Sequence, residues 1–310
     1  MGSTCAANAL PREHWLEILG LQKLSVKLAL NAVLMLTSVS ALAADRRLTA
    51  REANGAVALS SSSMSIEVSH AYRVIETRSG TTARNIIIEN LTGRSIIREG
   101  IRLRGAIDGF TLRNFRLEHS ATPNHPPDLP EGIHIMSGRN FVLEKGQISD
   151  FQMIMAADRY WNGDGIATER GVTGVTIHDV TVEDNTDAGL DLKSSENFLD
   201  DVTAARNNRN FRFWSDVEAG TLRSIDPTKR GGTASSAHIQ ITGNNISPPK
   251  IHISRLIVRS ATSKAPIFLI ENGAATVVID DYDIIAPKGT PVLIGGAAKV
   301  YWGNKGVPKL

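Results

Sequence analysis

The chain has almost no sulfur chemistry, no surplus of one charge and no long helical pattern. Its one cysteine is Cys5, near the N-terminus. A chain without further thiols excludes disulfide staples, cysteine nucleophiles and zinc–thiolate sites beyond that point. Thirty-four basic residues face 32 acidic ones, for a net charge of +2. A dedicated nucleic-acid binder shows a strong basic excess, so nucleic acid is not an expected partner. Beyond Arg46 no segment carries a convincing 3.6-residue apolar period. What is present is 42% hydrophobic and 21% charged residues over 310 positions, enough for a sizeable core and too apolar for wholesale disorder. That length fits two ordinary domains or one elongated repeat domain.

The early segment is not fold material. Lys23 and Lys27 precede an apolar run from Leu28 to Leu36, and Ala41-Leu42-Ala43-Ala44 closes it. A positive stretch, a short apolar stretch and an A-x-A-like end make a secretory signal, cut after Ala43 or Ala44. Residues 1–44 are therefore expected to be leader, and the protein secreted, periplasmic or on the cell surface. The apolar run is short and ends in small residues, so no stable membrane span is expected after cleavage. A membrane-tethered N-terminus is the alternative.

The rest is built from short β-rich runs that resemble one another. One set reads Gly100-Ile-Arg-Leu-Arg104, Gly132-Ile-His-Ile-Met136, Gly165-Ile-Ala-Thr-Glu169, Gly189-Leu-Asp-Leu-Lys193, Asn210-Phe-Arg-Phe-Trp214 and His238-Ile-Gln-Ile-Thr242. A second set follows: Phe110-Thr-Leu, Phe141-Val-Leu, Val175-Thr-Ile, Phe198-Leu-Asp, Ile251-His-Ile and Val277-Val-Ile. The interval is near 23 residues, stretched by insertions, and the gap from Phe198 to Ile251 holds two rungs or one large excursion. Such a period is the signature of an all-β, single-stranded, right-handed parallel β-helix, in which stacked coils bury a continuous apolar core. The expected division is an N-terminal cap and first rung over 45–84 and the β-helix over 85–310. A β-sandwich is the competing reading, but the chain lacks clear Asn-Gly hairpins between its alternating runs. Three insertions are expected, His119–Pro130, Met153–Asn162 and Ser215–Ser236, either as functional loops on one face or as tolerated surface excursions.

Strand alternation assigns faces. Ile101, Ile133, Ile166, Leu190, Phe211 and Ile239 point inward. Arg102, His134, Ala167, Asp191, Arg212 and Gln240 then form one outward column. Arg104, Met136, Glu169, Lys193, Trp214 and Thr242 form another, and Glu99, Glu131 and Asp164 a third. With rungs about 4.8 Å apart, Asp164, Glu169, Asp191, Lys193 and Arg212 gather on one flank beside Trp214. The functional reading is a groove for a polar, anionic polysaccharide, with Trp214 offering a face to a sugar ring and His134, Glu169, Tyr160 and Trp161 as further contacts. The bland reading is a set of charge ladders between rungs that discourages aggregation.

The stretch Asn162-Gly-Asp-Gly-Ile166, then Gly174-Val-Thr-Ile, then Asn185-Thr-Asp-Ala-Gly-Leu-Asp-Leu192 resembles the core of the pectate-lyase-like β-helix superfamily, closest to the family-nine pectate lyases. The resemblance implies calcium held by Asp164, Asp187 and Asp191, with a basic residue removing a proton. Ala188 stands where the family has a carboxylate, and Arg212 where a lysine base is expected. Calcium prefers six to eight oxygen ligands, which clustered carboxylates supply. The implied reaction is calcium-assisted β-elimination of a uronate polymer, in which the base must be neutral to act. Arg212 and Lys193 are the two candidate bases; if Lys193 acts, Arg212 binds the substrate carboxylate bidentately. Two other functions stay open. Asp164, Glu169, Asp187 and Asp191 supply carboxyl pairs for glycoside hydrolysis, and a β-helix that only binds polysaccharide needs no chemistry at all. Oligomeric state is not legible.

Overall fold

A computed structural model describes residues 66–303 and 305–310. The expected leader, 1–44, and residues 45–65 of the expected cap lie outside the described residues. Strands alternate along the chain as β1 (Ile66–Ser69), β2 (Arg73–Glu76), β3 (Thr82–Ile96), β4 (Glu99–Leu103), β5 (Ala106–His119) and β6 (Glu131–Ile135). They continue as β7 (Arg139–Ser149), β8 (Asp164–Thr168), β9 (Thr173–Glu183), β10 (Ala188–Leu192), β11 (Ser195–Ala205) and β12 (Arg209–Phe213). The last are β13 (Val217–Ile225), β14 (Ala237–Thr242), β15 (Lys250–Arg259), β16 (Phe268–Ile285) and β17 (Leu293–Trp302). No helix occurs among the described residues.

Every strand pairing is parallel, and from β2 to β14 each strand pairs with the one two places on. Up to β15 the even-numbered short strands stack on each other and the odd-numbered long strands stack on each other, while β16 spans both sides of its coil and pairs with β14 and β15. One coil is therefore one short strand plus one long strand, and the fold is a parallel β-helix. The inward column expected from the sequence is in register and fully buried: Ile101, Ile133, Ile166, Leu190, Phe211 and Ile239 are each 0% exposed. Each buried aliphatic or aromatic side chain contributes about 1.5–3 kcal/mol of apolar transfer.

The polar punctuation of the sequence sits at the corners. Asn90, Asn114, Lys145, Asp179 and Asp201 have φ between +51° and +60° and bend the long strands at one height. Asp150, Asp184, Arg206 and Asp226, also at positive φ, turn the chain out of the long strands. Asn and Asp tolerate this left-handed backbone better than other side chains. The glycines that open the short strands answer a different need. A Cβ on Gly132 would stand 2.4 Å from the Gly165 carbonyl, and one on Gly165 would stand 2.0 Å from Val182.

Two details of the repeat differ from the sequence reading. Val175 pairs with Asn197, not Phe198, so Asn197 and Leu199 face inward and Phe198 faces out. A one-residue slip inverts the faces of a strand, and Phe198 looked the more natural core residue. The wide gap holds two coils, because β13 pairs with both β11 and β15. The excursion expected over Ser215–Ser236 therefore shrinks to residues 226–236. The opening of β13, Val217-Glu218-Ala219-Gly220, is too poor in large apolar residues to announce a strand.

All three insertions leave the coil at one corner, after a long strand and before a short one. They lie side by side. Asn124 bridges to Met153, and the Thr233 N–H donates to the Arg159 carbonyl at 3.0 Å. The Trp161 indole packs where Gly231 and Gly232 leave it room.

Candidate functional site

The outward columns are in the expected register. Arg102, His134, Ala167, Asp191, Arg212 and Gln240 pair in sequence from coil to coil. The column Glu99, Glu131, Asp164 continues through Ala188, whose N–H donates to Asp164 Oδ1 at 2.8 Å, and on to Arg209. The face is not the open trench expected from alternation, however. All five residues of β6, of β8 and of β10 are buried. The second insertion supplies part of a roof, with Tyr160 reaching down onto Asp187.

Two carboxylates organise the roofed part. One Asp187 oxygen accepts from Arg209 at 2.7 Å, and the other accepts from the Tyr160 hydroxyl. The same phenol oxygen accepts from Arg209 at 2.7 Å and from Arg212 at 3.1 Å. Asp191 accepts from the Trp214 indole N–H at 2.6 Å, with Lys193 Nζ at 3.3 Å and Arg212 Nε at 3.7 Å. Lys193 also donates to Glu169 at 3.0 Å, and Glu169 stands 3.4 Å from His134 Nε2. The Arg212 guanidinium lies 4.6 Å from the Trp214 ring centre, within cation–π range. Asp164, Asp187, Asp191 and Arg209 are at most 3% exposed. The side chains of Lys193, Arg212 and Glu169 keep 20%, 14% and 38% of their surface. These three and Trp214 form the accessible part of the face.

Of the residues singled out in the sequence, Asp187, Asp191, Lys193, Arg212, Glu169, His134, Tyr160 and Trp214 share one network. Asp164 lies beside it through Ala188. Trp161 does not join: its indole N–H donates to the Ala156 carbonyl at 3.0 Å and its ring holds two insertions together. The sequence reading missed Arg209. It occupies the position taken by Glu99, Glu131 and Asp164 in earlier coils, so extending that column two coils would have found it.

Burial and the neighbouring Asp187, Asp191 and Glu131 charges push the Asp164 carboxyl well above the usual carboxylate range. Burial also raises Asp187, against the pull of Arg209 and Tyr160. At Lys193 burial opposes the charge, but Asp191 and Glu169 outweigh it and raise the pKa. Arg212 is raised the same way, burial being overcome by Asp191, Tyr160 and Asp187. Both candidate bases are therefore held as cations in the free protein.

The donor set does not fit calcium. Both oxygens of Asp187 are taken by Arg209 and Tyr160, and those of Asp191 by Trp214 and Lys193. One oxygen of Asp164 is taken by a backbone N–H. The guanidinium groups of Arg209 and Arg212 already supply the positive charge that a cation would bring.

Comparison with protein-family models, with curated proteins and with solved structures finds no match for this chain. The coil architecture agrees with the resemblance drawn from the motifs, at the level of a parallel β-helix.

Proposed function

We propose that this chain is an exported polysaccharide-active protein that takes an acidic saccharide along the outer face of its short strands. One observation carries the reading. Among the described residues, eight buried side-chain polar atoms lack a hydrogen-bond partner, and six of them lie on this face: Glu131 Oε2, His134 Nδ1, Arg209 Nε, Arg212 Nε, Gln240 Oε1 and Thr242 Oγ1. Buried polar groups are ordinarily satisfied, so this face has hydrogen-bonding capacity that the fold leaves unused. Arg212 and Lys193 are the groups for a sugar carboxylate, and Trp214 the group for a sugar ring.

β-Elimination from a uronate remains the first reaction to test. The carboxylate would be neutralised by Arg212 in place of a metal, which favours loss of the adjacent proton to Lys193. Of the two, only Lys193 can act as base, and only after it is released from Asp191 and Glu169. Hydrolysis is favoured by a different observation. Burial and the neighbouring carboxylates push the Asp164 carboxyl well above the usual carboxylate range, the direction that separates a general acid from its partner. Incubation with pectate, alginate and glycosaminoglycans distinguishes the outcomes. New ultraviolet absorbance from an unsaturated product supports elimination, and reducing ends without it support hydrolysis. Retention on the polymer without either product leaves a binding module. No retention and no product on any anionic polymer overturns the proposal.

A further inference from the structure

Two coils before Asp191, a second cluster lies on the same face. Glu99, Glu131 and His134 each present one ligand atom, and the three atoms lie within 4.8 Å of one another. His134 Nδ1 is 3.8 Å from Glu99 Oε1 and 2.5 Å from Glu131 Oε2. The close pair is an ion pair, yet neither Nδ1 nor Oε2 has a hydrogen-bond partner. His134 is 8% exposed, Glu131 3% and Glu99 2%. Two buried ligand atoms without a hydrogen-bond partner, in ion-pair contact with each other, thus converge beside a third.

The geometry points to a site for one divalent first-row transition ion, such as Zn2+ or Mn2+, held by Glu99, Glu131 and His134. The surrounding contacts are those a metal site uses. The other imidazole nitrogen, Nε2, faces the Glu169 carboxylate at 3.4 Å, which fixes the ring with Nδ1 toward the carboxylates. Arg73 holds Glu99 by Oε2 and leaves Oε1 on the His134 side. Arg102 stands 3.8 Å from Oε1, outside hydrogen-bond reach. Ligand atoms on a tetrahedral ion are about 3.3 Å apart, given bonds of about 2.0–2.1 Å. The pair at 2.5 Å opens slightly and the pair at 3.8 Å closes to reach that spacing. An imidazole with two carboxylates suits zinc or manganese better than calcium, which prefers oxygen alone. Glu169 links His134 to Lys193, so an occupied site would stiffen one end of the saccharide face.

The test is calorimetric titration of the chelator-stripped full chain with ZnCl2 and, separately, MnCl2, with no saccharide present. Failure here therefore leaves the saccharide reading untouched. One ion per chain is expected for at least one of the two metals. His134→Gln and Glu131→Gln should each weaken that binding by at least about tenfold, the lower end of the cost of altering a metal's surroundings. X-ray absorption of the loaded wild-type chain should show one imidazole nitrogen with oxygens at about 2.0–2.1 Å, and this readout stands even if a variant fails to fold. Absence of binding, binding unchanged in both variants, or a sulfur ligand from Cys5 in place of imidazole overturns the assignment.

Discussion

Two polar clusters lie on opposite sides of the same short strands, and they are built to different rules. Inside the corner, Asn185, Asn207, Asn210, Ser224, His238 and Ser260 form a ladder across successive coils. Asn207 Oδ1 accepts from the Asn185 side chain at 2.8 Å, and Asn210 donates to Ser224 at 2.9 Å. His238 sits between Ser224 at 2.7 Å and Ser260 at 3.1 Å. Every member is uncharged, since burial lowers the His238 pKa to about 3. Outside, the cluster from Glu99 to Arg212 is charged, crowded and incompletely bonded. A neutral network that satisfies itself holds coils in register. A charged network with idle donors and acceptors costs stability in the free protein, and a ligand can recover that cost.

The largest test of this contrast is Arg209→Ala. It removes the nearest cation from the fully buried Asp187 carboxylate, leaving Tyr160 and the more distant Arg212, and a loss of about 3 kcal/mol is expected in urea denaturation. A loss below 1 kcal/mol would mean that the outer charges are solvated in solution, and the contrast would fail. Asn207→Ala should cost about 2–3 kcal/mol by leaving the Asn185 and Val182 backbone groups unpaired. Retention on anionic polysaccharide should not change, because the ladder faces inward.

The two histidines give opposite pH responses. The folded-state pKa of His238 lies below its unfolded value, so its contribution is complete above about pH 6.5 and is lost as pH falls toward 3. His134 is the reverse. Burial opposes its charge, but Glu131 and Glu99 raise its pKa to about 10. Its contribution is complete below about pH 6.5 and is lost as pH rises through 10. In chelator, His238→Asn should flatten the acid limb of the stability curve and His134→Gln the alkaline limb, each by on the order of 2 kcal/mol. Exchange of the two limbs would reverse the assignment.

The smallest effect expected is Arg212→Ala. Retention of an anionic polymer should weaken about tenfold, or about 1.4 kcal/mol. Its denaturation midpoint should move far less than that of Arg209→Ala, since Asp187 keeps Arg209 and Tyr160. Equal stability losses in the two variants would make Arg212 a structural ion-pair partner only.

The first strand set was legible because each coil repeats a glycine or polar residue followed by alternating large apolar residues, and that alternation has only one way to face the core. The second set slipped at Asn197, where a polar residue takes an inward place because Ser194, Ser215 and the Asp216 carbonyl bond it. β13 went unread for want of large side chains. The third column stopped at Asp164, and so Arg209 was passed over. The inner ladder had no local signature, since Asn and Ser at corners read as turn residues.

Composition and period determined the parallel coil and the columns of the short strands, because a two-residue alternation repeated coil after coil buries the apolar half of those strands together. They did not determine how wet the outer columns are. That depends on where the aperiodic insertions settle, and only the assembled coils show Tyr160 of the second one lying on Asp187. The carboxylates gathered there outweigh burial and hold Lys193 and Arg212 as cations in the free protein.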